Sequence, residues 1–236
     1  MAKADTDVPT VSIISLLSDR RHFIPLLKAC VEAQTYPSQK IEWIIVDDGP
    51  DNSGHVFGGS SQIYFHGNKK LALGRKRQLA CDIATGEFVF FFDDDDLHYP
   101  HRIERTVQKL QKFGSKMIAG NSAMLLANLA TEDVIQSGPF NKNHATAGTF
   151  AFRKEYLKHS SFRLSDTAGE EVHFLKNWSI PMAQMHPQET IIALAHSANT
   201  VKKDKLFEDA EVKGNLGKLF GNPKILKVMR KCIASV

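Results

Sequence analysis

The chain has 236 residues, 42% of them hydrophobic and 24% charged, with a net charge of +4. That length suits one large domain or a domain with a small appendage, and the balance is that of a soluble globular protein and argues against fibrous, disordered and disulfide-scaffold classes. Residues 200–236 hold nine Lys/Arg against four Asp/Glu, a net +5, which leaves the remainder at −1; the basic character belongs to the tail, and a nucleic-acid partner is not expected.

Val11–Leu17 reads as a short buried strand, and Phe23 to Ala33 carries apolar residues at a helical period. Ile41 to Val46 is a second buried strand, stopped by Asp47-Asp48-Gly49-Pro50, and Gln62 to Phe65 a short third. Leu71 to Ala84 reads as a helix ended at Thr85-Gly86. Phe88 to Phe92 is a fourth strand, apolar throughout, as a strand covered on both faces should be. Leu97 to Phe113 is expected to be helical. Beyond residue 115 the pattern is weaker. Lys116 to Ala119 and Thr149 to Phe152 are candidate strands, and Pro139 to Gly148 is a loop. Glu170 to Trp178 resembles a helix, Glu189 to Ala195 a strand or helix, and Pro223 to Val236 an amphipathic helix. Strands alternating with helices predict an α/β layer with a mainly parallel sheet, whose ligands bind at the carboxyl ends of the strands. Asp47-Asp48 and Asp93 to Asp96 fall at two such ends and point to a shared cleft.

There is no run of 18 apolar residues, so no spanning helix is expected. The N-terminal MAKADTDVPT lacks the apolar core of a secretory signal. Cys30, Cys81 and Cys232 are far apart and form no metal motif, which suggests reduced thiols and a cytoplasmic setting.

Four carboxylates directly after four large apolar residues repel one another, and burying one unpaired is costly. A solvated turn, or a helix start with Asp96 as its cap, would relieve the cost. So would a hard divalent cation, which prefers oxygen ligands and joins one or two carboxylates to substrate phosphates.

Thr10-Val11-Ser12-Ile13-Ile14, Ile44-Ile45-Val46-Asp47-Asp48-Gly49-Pro50-Asp51, Gly74-Arg75-Lys76-Arg77-Gln78, Ala84-Thr85-Gly86-Glu87 and Phe92-Asp93-Asp94-Asp95-Asp96-Leu97 with Pro100 arrive in an order that resembles the family 2 glycosyltransferases, including their DXD motif. The resemblance implies the GT-A (nucleotide-diphospho-sugar transferase) fold, a Rossmann-like mixed sheet flanked by helices, as one domain over 1–236. About 10–115 would bind the nucleotide sugar, about 116–200 the acceptor, and 201–236 would be a basic helical extension. It implies that Asp48 bonds the nucleotide base, that Asp93 and Asp94 lie against the ribose and diphosphate, and that Asp95, with Asp93, ligates Mn2+ or Mg2+. Arg77 would sit near the acids or the diphosphate; a structural ion pair is its alternative. Gly169-Glu170-Glu171 resembles the family's acidic pair, with Glu171 as the base and Glu170 as the fallback, although the family usually has Asp at the second position. His196 in His196-Ser197-Ala198-Asn199-Thr200 resembles a late segment whose histidine completes the metal site; a core or surface histidine is the alternative.

The expected partners are a UDP, GDP or dTDP sugar and a glycan or glycolipid acceptor. Leu16 to Arg20 contain no aromatic residue of the kind that stacks on the base in the family, so the base is left open. Two chemically distinct alternatives remain: a metal-dependent nucleotidyltransferase, which would want a glycine-rich loop after the first strand, and a non-catalytic nucleotide- or glycan-binding module. His144 to Thr149 is expected on the acceptor side, with Trp178 either stacking on a sugar or packing in the core. The C-terminal helix is expected to pack against the domain; peripheral contact with an anionic membrane is its alternative.

Overall fold

The computed structural model describes residues 8–59, 61–67, 69–196, 199, 204–208 and 210–234. Its main layer is a seven-stranded mixed sheet. The sheet is built from β1 (Val11–Leu17), β2 (Ile41–Asp47), β3 (Gln62–His66), β4 (Phe88–Phe91), β6 (Ile118–Gly120), β9 (Ala151–Arg153) and β10 (Met182–Gln184), in the order β10-β6-β9-β4-β1-β2-β3. β4, β1, β2 and β3 run parallel, and β9 is antiparallel to both β4 and β6. This is the Rossmann-like mixed sheet flanked by helices that the resemblance implied.

Strand periodicity explains why the central strands read as unbroken apolar runs. Alternate side chains leave a strand on opposite faces, so a strand covered on both sides must be apolar at every position. Val11, Ile13, Ile45, Phe88, Phe90 and Phe92 enter the core on the side of α1 (Ile24–Glu32) and α3 (Arg102–Lys112). Ile14, Leu16, Ile44, Val89 and Phe91 enter the opposite core beside α2 (Leu73–Ile83) and α4 (Glu170–Phe174).

A second, five-stranded sheet runs β12-β8-β7-β11-β5. Its strands are β5 (Asp96–His98), β7 (Met124–Asn128), β8 (Asp133–Ser137), β11 (Ile191–Ala195) and β12 (Val212–Asn215). The short helix α5 (Leu216–Phe220) precedes α6 (Pro223–Ile233), whose buried face of Ile225, Leu226, Met229 and Cys232 joins Phe23, Leu26 and Cys30 in a third core. The packed reading of the C-terminal helix therefore holds up to Ile233; residues 235 and 236 lie outside the described residues. No helix among the described residues is long and apolar enough to cross a membrane.

Two expectations need correction. The stretch from Leu97 to Phe113 is not one helix. Asp96, Leu97 and His98 pair antiparallel with Ile191 to Ala193, and the helix begins only at Arg102. Asp96 therefore does not cap a helix; its Oδ1 accepts the Leu194 amide at 3.2 Å. The helix expected over 170–178 ends at Phe174, because Lys176, Asn177 and Trp178 all adopt positive φ. The Trp178 ring lies 4.4 Å from that of His144 and packs on the second core.

Candidate active site

β2 and β4 flank β1, so their acidic ends emerge side by side. At the end of β2, Asp47 accepts from the Tyr64 hydroxyl at 2.7 Å and the Gly49 amide at 2.9 Å. Asp48 accepts from Lys76 Nζ at 2.7 Å and the Leu71 amide at 2.8 Å. Burial alone would raise the Asp48 carboxyl, but these partners outweigh it and hold it below the usual aspartate value.

The aspartate quartet follows β4, and its members meet several different groups. Arg20, on the loop after β1, donates through Nη2 to Asp94 at 2.6 Å and through Nη1 to Asp95. Asp95 also meets His196 Nε2 at 3.1 Å and Asn199 Nδ2 at 3.2 Å. Asp93 Oδ1 lies 3.7 Å from Arg77 Nη2. Burial, with Asp95 and Asp93 alongside, pushes the Asp94 carboxyl well above the usual range against the pull of Arg20.

Arg77 projects from α2, with its guanidinium 4.4 Å over the Phe91 ring, and its Nε donates to Glu170. Its Nη1 is buried with no hydrogen-bond partner among the described residues. That unmet donor suits an anionic ligand. Glu171, the next residue of α4, is half-buried and lacks this arginine contact. Burial and then Glu170 beside it raise its carboxyl above the ordinary glutamate value.

A cavity of about 300 Å³ is lined by Arg77, Asp93, Asp95, Glu170, Glu171 and Asn199. Gly148 lines it as well; a Cβ there would stand 2.9 Å from Asp93 Oδ2, so a larger residue would require that carboxylate to shift. The acidic pair thus lines the same cavity as Asp93 and Asp95. Asp48 is engaged at the neighbouring strand end, and His196 reaches the site through Asp95. No group of three His, Cys, Asp or Glu among the described residues is assembled as a metal cluster. Asp95 with His196 gives an oxygen and a nitrogen donor at one point, and an ion that completes its shell with substrate phosphates fits such a partial set. Ser197, Ala198 and Thr200 of the late segment lie outside the described residues.

Arg20, Lys76 and Asn199 are site residues that sequence reasoning did not single out. For Arg20 the signal was electrostatic: four adjacent carboxylates require a nearby cation, and Leu16 to Arg21 supplies two.

This architecture, with acidic strand ends and an acidic helix start around one cavity, is the GT-A fold of nucleotide-diphospho-sugar transferases. Residues 20–125, a little under half of the chain, match the profile of Glycosyl transferase family 2. Glycosyltransferase GlyG of Streptococcus pneumoniae is 32% identical over 104 residues, which are 40% of this chain and 34% of that protein. The matched segment thus spans about a third of that relative's length. The mannosyltransferase PcManGT from Pyrobaculum calidifontis, solved in complex with GDP-Man and Mn2+, superposes with a TM-score of 0.63 at 14% identity, covering 98% of this chain and 75% of that one. S. aureus TarS 1-349, solved in complex with UDP-GlcNAc, gives 0.60 at 14% identity over 95% and 73%. At these identities the structural likeness concerns the fold.

Proposed function

We propose that this chain is an inverting glycosyltransferase that moves a sugar from a nucleotide-diphosphate donor to a hydroxyl of a glycan or glycolipid acceptor. The observation that carries the reading is the single cavity lined by Glu171 on one element and by Asp93, Asp95 and Arg77 on others. Glu171 takes the proton of the acceptor hydroxyl as its oxygen bonds to the anomeric carbon. The bond from that carbon to the diphosphate breaks, and the nucleoside diphosphate leaves with the electron pair. Arg77, whose Nη1 has no partner among the described residues, meets the charge that develops on the leaving oxygens. Glu170 orients Arg77 through its ion pair and is the fallback base.

Asp95 and His196, with Asp93, would hold Mn2+ or Mg2+, which supplies Lewis-acid neutralisation of the diphosphate. Asp94 lies against the donor on the same turn, and Asp48 bonds the base. The buried, unpaired thiols of Cys30, Cys81 and Cys232 accord with a cytoplasmic setting.

Thermal-shift measurements with UDP-, GDP- and dTDP-sugars, each with and without Mn2+, test the reading. One donor should raise the melting temperature only when Mn2+ is present, and Asp95→Ala should abolish that shift. Equal shifts in Asp95→Ala and wild type would refute the assignment.

A further inference from the structure

His98 and Arg102 have no part in the transfer as described. Arg102 is nevertheless fully buried, and no carboxylate lies within ion-pair distance of it among the described residues. Its Nε and Nη2 have no hydrogen-bond partner among those residues either. Its Nη1 lies 2.6 Å from His98 Nδ1, and on the far side of the ring His98 Nε2 lies 2.9 Å from the backbone carbonyl of Asp93. A carbonyl only accepts and a guanidinium only donates. The His98 tautomer is therefore fixed: Nε2 carries the hydrogen and Nδ1 the lone pair. Burial, with Arg102 beside it, holds His98 well below the usual histidine value, so the ring stays neutral.

Phe92 fixes the orientation of both groups. The His98 ring stacks on it at 4.1 Å and 11°, and the Arg102 guanidinium sits 4.6 Å from the same ring centre. Burial pushes the guanidinium down to about 10, although Asp93 and Asp96 pull it upward. A buried cation that touches no anion is expensive to keep. A helix could place leucine here and pack as well, so the arginine calls for a polar task.

That task lies at the end of the relay. The Asp93 carbonyl belongs to the peptide joining Asp93 to Asp94. Fixing the plane of that peptide fixes the directions in which the two side chains leave the backbone, and with them the start of the turn that carries Asp95. We propose that His98 and Arg102 are positioning residues: the relay from Arg102 through His98 to the Asp93 carbonyl holds the head of the acidic turn, so that Asp93 faces Arg77 while Asp95 faces His196. The inference rests on the transferase reading and deepens it.

The test uses the full chain, with Mn2+ plus UDP and, separately, Mn2+ plus GDP as probes, and follows bound Mn2+ by electron paramagnetic resonance. His98→Gln retains a donor for the carbonyl and an acceptor for the arginine, whereas His98→Leu retains neither. Removing an outer-shell partner typically costs about 10- to 100-fold in metal affinity. His98→Leu and Arg102→Met should therefore weaken manganese–nucleotide binding at least about tenfold, at a temperature where circular dichroism shows them folded. His98→Gln should bind within about threefold of wild type, since the lost partner is replaced.

Equal affinities in folded His98→Gln and His98→Leu would overturn the proposal. So would Leu and Met variants that cannot fold, because the pair would then serve the fold alone. A wild-type chain that binds neither nucleotide with manganese would remove the transferase reading and this inference with it. Binding by wild type that both His98 variants match would remove this inference alone.

Discussion

Glu170 and Glu171 are chemically identical neighbours with different surroundings, and the proposed roles follow from that difference. Glu170 is buried and locked to Arg77, whereas Glu171 is half-buried in the cavity wall with a raised carboxyl. A general base contributes about 10²- to 10⁴-fold to a rate. Glu171→Gln should therefore lower kcat by about that factor while leaving donor affinity close to wild type, measured by steady-state kinetics and isothermal titration. A base must act ionised, and the Glu171 carboxyl is raised, so under the proposed role kcat should climb with pH through a midpoint above that of an ordinary glutamate. Glu171→Asp should keep an ionisable group and recover part of the rate. A midpoint unchanged in Glu171→Gln would assign the proton to another group. Glu170→Gln should instead weaken donor binding and stability together, because it strips Arg77 of its contacting anion.

At the level of elements, the alternating strands and helices of the first half were legible because both faces of the parallel strands are covered. Nothing comparable marked β7, β8, β10 and β12, which are short, lie in mixed or antiparallel surroundings and are bounded by polar loops. The longest misreading, over Leu97 to Phe113, has a clear cause. Tyr99 continues the apolar period of the helix that follows, but pairing of residues 96–98 with β11 overrides that local preference. For the site, the acidic motifs and the acidic pair were visible as residue types in order. Their partners Arg20, Lys76 and Asn199 were not, because contacts across 75, 28 and 104 positions leave no mark on a local pattern. α6 lets the packing argument be tested directly. Met229 is buried against the residues of α1, so Met229→Ala should cost about 2–5 kcal/mol in a denaturant melt. It should leave the kcat of the folded fraction unchanged, since no described residue of the helix lines the cavity. A loss below about 1 kcal/mol would mean that the helix contributes little to the core.

Taken whole, the molecule encloses its most acidic turn with cations of its own. Arg20 contacts Asp94 and Asp95, Arg77 lies beside Asp93, and Arg102 is buried within reach of the field of Asp93 and Asp96. The carboxylates are offset without a metal, so the fold should not depend on one. Dialysis against EDTA should leave the melting temperature unmoved, whereas manganese with the correct nucleotide should raise it by mass action. A melt that collapses under EDTA would show that the arginines do not suffice. The bidentate pair of Arg230 with Glu132 at 2.6 and 2.9 Å links the basic tail to the residue that precedes β8. Any contact with an anionic surface would fall to the exposed lysines of α6, because its apolar side is already covered.

The double grip of Arg20 also bears on the order in which ligands arrive. A bare ion approaching Asp95 must evict a guanidinium that bonds two aspartates at once and offer it nothing in exchange. An ion already chelated by a pyrophosphate brings oxygens that the displaced arginine can seize. Cofactor and donor should therefore dock as one package, with free manganese binding far more weakly than its nucleotide complex.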